Sequence, residues 1–98
     1  MFALVAEQSV ELIGLAHYLY HRSTIQIGPS CYLQDLFTAD KARGQGVGRR
    51  LIEEITKIAK SEGIGRLYWH TYETNETAMR LYDKVAEKTG VALYRQVL

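Results

Sequence analysis

The sequence is short of several things that would narrow its role. It has one cysteine, Cys31, in 98 residues, so no internal disulfide can form and a reducing compartment fits best. Cys31 reads as a small buried hydrophobe at the start of a strand. The one proline, Pro29, follows Gly28 and marks a turn. An excess of charge of one sign is also missing. Twelve Lys and Arg stand against 11 Asp and Glu, for a net charge of +1. A concentrated basic face is what duplex binding usually needs, so nucleic acid is not expected as a partner and small ligands are favoured. No apolar run reaches the roughly 18 residues of a membrane span, and no basic, Ser-rich leader precedes a cleavage-like site. The expectation is therefore a cytoplasmic protein without a membrane partner. What is present is ordinary for a globular domain: 47% apolar and 23% charged residues, enough for one core and one domain over 1–98.

The chain is organised around Ala42-Arg43-Gly44-Gln45-Gly46-Val47-Gly48-Arg49-Arg50-Leu51. Three glycines at alternate positions are costly inside a regular element, so they mark a turn. A strand-like run, Cys31 to Thr38, precedes it and an apolar pattern at helical spacing follows. The first amides of that helix have no internal partners, and the bare glycines let an anion approach them. Two better-known phosphate motifs do not fit. A P-loop requires Lys and Ser/Thr where Arg49 and Arg50 stand, and the dinucleotide fingerprint requires a glycine at Arg49.

In chain order, Phe2 to Ala6 and Glu11 to Tyr20 read as an antiparallel hairpin. His17 and His21 share a face of its second strand, without the third ligand a metal would want. No metal site is expected. Ser23 to Ser30 reads as a turn. In the third strand one face carries Cys31, Leu33, Asp35 and Phe37, and the other Tyr32, Gln34, Leu36 and Thr38. An unpaired buried carboxylate is costly, so Asp35 needs a partner such as an arginine, or a wet cleft. After the turn, Val47, Leu51, Ile52, Ile55, Ile58 and Ala59 form one face of an amphipathic helix that Gly63 ends. Arg66 to Tyr72 reads as a strand parallel to the third, since a helix joins them. Glu73 to Thr77 leads into a second helix, capped by Thr74 or Asn75, with Ala78, Leu81, Tyr82 and Val85 on its buried stripe and Gly90 at its end. Val91 to Val97 reads as a last strand.

This order, with Arg-x-x-Gly-x-Gly at Arg43 to Gly48 and Asn-x-x-Ala-x-x-Leu-Tyr at Asn75 to Tyr82, resembles the GNAT superfamily of acyl-CoA-dependent N-acyltransferases over almost the whole chain. The run Tyr32-Leu33-Gln34-Asp35 and the strand at Tyr18 to Tyr20 look most like its diamine and polyamine branch, where the place of Gln34 is usually a glutamate. The resemblance implies an α/β fold, a mixed central sheet with two helices, without the strand and helix pair that family members ordinarily carry before the point matching Phe2. It implies acetyl-CoA as cofactor. The amides of Gln45, Gly46, Val47 and Gly48, with Arg43, Gly44 and Arg49 around them, would cradle its pyrophosphate. The strands on either side of the helix would splay apart, leaving the backbone at Leu36, Phe37 and Thr38 to hold the pantetheine arm and polarise the thioester. Asn75 would contact the arm, and Tyr82 would protonate the departing thiolate. Asp35, Glu73, or His70 through a water could take the proton of the acceptor, a small-molecule amine. An exposed edge at Phe2 to Ala6 predicts a homodimer or larger assembly. The alternatives are a coenzyme A-binding module or partner subunit without turnover, and an interaction domain that binds no cofactor.

Overall fold

The computed structural model describes residues 1–9, 11–22 and 28–98. Strands β1 (Phe2–Gln8), β2 (Glu11–Arg22) and β3 (Pro29–Thr38) lead through a 3₁₀ turn at Asp40–Ala42 into helix α1 (Val47–Ser61). A two-residue strand β4 (Leu67–Tyr68) and helix α2 (Glu76–Val85) follow. The sheet order is β1-β2-β3-β4. The first two pairings are antiparallel and the third is parallel. This is the expected α/β arrangement, a mixed sheet with two helices. Among the described residues no helix is long and apolar enough to cross a membrane.

The core lies between α1 and one face of the sheet. Val47, Leu51, Ile52, Ile55 and Ala59 of α1 are buried against Ala16 and Tyr18 of β2 and Cys31 and Leu33 of β3. Gly14 lets the helix approach. A Cβ there would stand 2.6 Å from Val47 Cγ1 and 3.1 Å from Leu51 Cδ1, so no larger residue fits without displacement. The far end of α1 closes as the sequence indicated. Gly63 has φ 77°, its N–H donates to Lys60 O, and Ile64 N–H donates to Ala59 O at 2.9 Å. These two bonds satisfy carbonyls of the last turn.

The structure corrects the sequence reading in four places. The facing residues in β2 and β3 run from His17↔Asp35 directly to Tyr18↔Leu33, so Gln34 is an extra residue in β3. This bulge reverses the alternation. Leu36 and Thr38 join Cys31 and Leu33 on the α1 side, where both approach Gly48, while Asp35 and Phe37 lie on the other face with His17 and Leu15. Second, the strand expected over Arg66–Tyr72 is only Leu67–Tyr68, because β4 pairs with β3 only at Cys31 and Tyr32, just short of the bulge. Third, α2 ends at Val85, before Gly90, with Ala86 extended at φ −153°. Its stripe of Ala78, Leu81, Tyr82 and Val85 is half-buried. Fourth, Val91 to Val97 forms no strand and is exposed throughout, so its backbone groups are left to solvent. The expected turn from Ser23 falls mostly on 23–27, outside the described residues.

Candidate active site

The glycine turn is built on a buried anchor. Ala42 is 1% exposed, and the 3₁₀ turn around it is closed by Ala42 N–H donating to Ala39 O and Arg43 N–H to Asp40 O. The Arg43 side chain folds back on the Asp40 carboxylate at 3.1 Å. The chain then takes two left-handed steps, Gly44 at φ 82° and Gly46 at φ 78°, a conformation that costs other residues about 1–2 kcal/mol. Gly46 is the residue before the first helical turn, and no side chain caps that turn. The first helical amide with a backbone partner is Arg50, which donates to Gly46 O at 3.0 Å. Among the described residues, the amides of Val47, Gly48 and Arg49 have no acceptor.

The surroundings of these amides suit an anion. A Cβ on Gly44 or Gly46 would meet nothing within 4 Å, so the approach is open. No acidic residue occupies the first turn of α1, which carries Arg49 and Arg50, and the helix dipole adds about half a positive charge. Arg49 also holds Glu53 one turn along, at 3.0 Å. From Arg49 a groove of about 380 Å³ runs between the helices, lined by Ile52, Thr56, Lys57, Lys84 and Val85.

Gly48 joins the turn to the sheet. Its Cβ position lies 3.6 Å from Leu81 of α2 and 3.8 Å from both Leu36 and Thr38 of β3. Because β4 pairs with β3 only at Cys31 and Tyr32, the backbone of β3 from Leu33 onward has no β4 partner and ends beside the bare amides. Phe37 contributes backbone alone here, since its side chain is 57% exposed on the opposite face.

Asn75 caps α2, its Oδ1 accepting from Ala78 N–H at 3.3 Å. That engages the carbonyl oxygen and leaves the amide NH₂ available to a ligand. Tyr82 packs edge-on against Trp69, ring centroids 5.3 Å apart, and burial pushes its hydroxyl pKa up. A tyrosine so placed stays protonated at neutral pH.

Asp35 has a partner other than the expected arginine. Its Oδ2 accepts from His17 Nδ1 at 3.2 Å, with the two side chains 57% and 36% exposed. The pair lies on the sheet face away from α1, apart from Tyr82. The same face carries a cluster that sequence reasoning did not assemble. His21 Nδ1 donates to Arg22 O at 3.0 Å, so its Nε2 accepts from the Tyr68 hydroxyl at 2.6 Å. Tyr32 and His70 bond at 3.1 Å, and Arg66 lies 4.5 Å over the Tyr68 ring. Alternation in Tyr68-Trp69-His70 was the available signal for this cluster. Among the described residues no group of three His, Cys, Asp or Glu could hold a metal. Cys31 is fully buried, and burial, with Glu62 nearby, pushes its thiol pKa up to about 11.

Comparison with known proteins settles the family. Residues 1–86 match the acetyltransferase (GNAT) family profile. The chain belongs to the GNAT family. Among curated relatives of this GNAT chain, the D-amino-acid N-acetyltransferase of Saccharomyces cerevisiae is 41% identical over 88% of the chain and 53% of its own length. The thialysine N-epsilon-acetyltransferase of Bos taurus is 31% identical over 72% of the chain and 41% of its own length. The chain thus spans about half the length of the curated relatives it matches. Among solved structures, an integron cassette protein from the mobile metagenome of V. cholerae superposes with a TM-score of 0.87 at 27% identity, over 97% of this chain and 60% of that one. The mixed sheet and two helices are thus the GNAT fold.

Proposed function

We propose that this GNAT chain transfers an acetyl group directly from acetyl-CoA to a primary amine of a small molecule. The observation that carries the reading is the set of bare amides at Val47, Gly48 and Arg49, reached over glycines with open space before them and adjoining the unpaired end of β3. A diphosphate would be held there by the backbone N–H groups of Gly46 to Gly48 and flanked by Arg43 and Arg49, while the Gln45 N–H, also expected to take part, donates to Ala42 O at 3.4 Å. Acetyl-CoA supplies the activated thioester. The free backbone of Leu36, Phe37 and Thr38 positions the arm and stabilises charge developing on the thioester oxygen. Asn75 binds the arm through its NH₂, and Tyr82, kept protonated by burial, gives its proton to the thiolate that departs. Asp35, exposed and bonded to His17, would be open to the acceptor amine. Relatives named for D-amino acids and thialysine support an amine on a small, amino-acid-like molecule.

The test joins two measurements. Calorimetric titration with acetyl-CoA should give heat at micromolar to high-micromolar ligand, and thiol release should follow on adding amines from a panel. Absence of heat rejects the cofactor site. Heat without thiol release favours the second reading, a coenzyme A-binding module without turnover, which the chain's span of about half its relatives keeps in view. We further propose a homodimer or larger assembly through β1, where Phe2 and Val5 are each 48% exposed on the edge of the sheet, to be tested by light scattering. A cytoplasmic setting is proposed from the single buried cysteine.

A further inference from the structure

The acceptor amine must lose a proton before it attacks, since aliphatic ammonium groups have pKa values near 10. We propose that His17, held by Asp35, is the group that takes it, and that Asp35 acts as a positioning residue through His17. This rests on the acetyl-transfer reading above.

The bulge at Gln34 carries the argument. β3 leaves β4 after Tyr32, and the next residue to face β2 on the sheet side away from α1 is Asp35, opposite His17. Leu36, Phe37 and Thr38, the stretch without β4 partners, follow immediately. The pair thus stands where the two parallel strands part, three residues or about 10 Å beyond the last β3–β4 contact. Asp35 Oδ2 accepts from His17 Nδ1, which fixes the neutral ring in the tautomer whose Nε2 carries a lone pair. The His17 side chain is 36% exposed, which leaves the ring open to an incoming amine.

The other histidines are less suited. His21 uses both ring nitrogens, one on Arg22 O and one on Tyr68. His70 is held by a neutral tyrosine hydroxyl, without a carboxylate to stabilise an imidazolium. Around His17 the electrostatics are simple. The facing residue of β1 is Ala3, that of β3 is Asp35, and the neighbours along the same face of β2 are Leu15, Leu19 and His21. Asp35 is the anion bonded to the ring.

The protons balance. The ammonium gives one proton to His17 Nε2, and the freed lone pair forms the C–N bond as the C–S bond breaks. Tyr82 protonates the thiolate and recovers a proton from the nitrogen that has become an amide. His17 then releases its proton to water, so each turnover liberates one proton.

The experiment measures kcat/KM against pH for the whole chain, His17→Gln and Asp35→Asn, with thermal unfolding as a check on folding. It also follows the ¹⁵N shifts of the His17 ring in the free protein. His17→Gln should lower kcat/KM about 100-fold, remove the acidic limb of the profile, and leave the heat of acetyl-CoA binding unchanged. Asp35→Asn should lower kcat/KM by less than His17→Gln does, because the ring stays but loses the carboxylate that orients it. It should also weaken the Nδ1–H tautomer signature in the free protein. A folded His17→Gln variant with the parent's rate and profile overturns the inference while acetyl transfer stands. A parent chain that turns over no amine overturns both.

Discussion

Replacing Gly14 with alanine tests the packing that holds the N-terminal end of α1. The added methyl would stand 2.6 Å from Val47 Cγ1 and 3.1 Å from Leu51 Cδ1, well inside the 3.5–4.0 Å at which carbon atoms attract. Leu51 can rotate its terminal methyls. Val47 is β-branched, with one preferred rotamer in a helix, so the first turn of α1 must lift from β2. Overpacking of this kind costs about 1–3 kcal/mol. In a 98-residue chain each kcal/mol lowers Tm by about 4–8 °C. Calorimetric melting of Gly14→Ala, Val47→Ala and the double variant separates the clash from the loss of the valine. If the contact is the cause, the double variant melts higher than the sum of the single effects requires, by a coupling of about 1–2 kcal/mol. Because Val47 N–H is one of the bare amides, acetyl-CoA affinity should fall in Gly14→Ala and partly recover in the double variant. A Gly14→Ala protein that melts with the parent would refute the reasoning.

Gly46→Trp should abolish the heat of acetyl-CoA binding, since the indole would occupy the approach that is open in front of Gly46; retained affinity would place the diphosphate elsewhere. Tyr82→Phe should keep acetyl-CoA affinity and slow thiol release by about 10²-fold or more, whereas equal rates would remove the tyrosine from the acid role. The Tyr82 hydroxyl must be protonated to act and burial raises its pKa above 10.0, so its loss of function should begin only above pH 10, seen as an alkaline limb absent from Tyr82→Phe. Cys31 should resist alkylation at pH 8 in the folded chain, as followed by intact mass. Its thiol pKa rises from 9.0 to about 11 on folding. The unfolded state therefore binds fewer protons over that interval, and stability should fall as pH climbs from about 9 to 11.

Local signals were legible where one interaction dominates. The α1 stripe, the Gly63 stop, the βαβ connection and the turn at Gly44 and Gly46 each follow from periodicity or backbone sterics, whereas Gly48, read with that turn, lies inside α1. The unfilled amides at Val47 to Arg49 follow from the same turn. Two-residue alternation could not reveal the bulge at Gln34, because an extra residue shows only against a partner strand. From that one omission came the misplaced faces of Asp35, Leu36 and Phe37, and the expectation of an arginine where His17 stands. The length of β4 and the absence of a strand over Val91–Val97 depend on which edges are free, which is a property of the assembled sheet. His17 and Asp35 are 18 residues apart, so only the pairing of β2 with β3 joins them.

The extra residue in β3 sets how this part of the chain tolerates change. Gln34 is exposed, and exchanging its side chain should matter little to folding. Removing it would set Asp35 directly after Leu33, so plain alternation would keep Leu36 and Thr38 in against α1 and Asp35 out beside His17, and only the local bend of the bulge would go. At this point evolution and engineering are free in composition and, by one residue, in length: losing Gln34 would spare the inner and outer faces of the strand that borders the glycine turn, whereas losing one paired residue further along would exchange them.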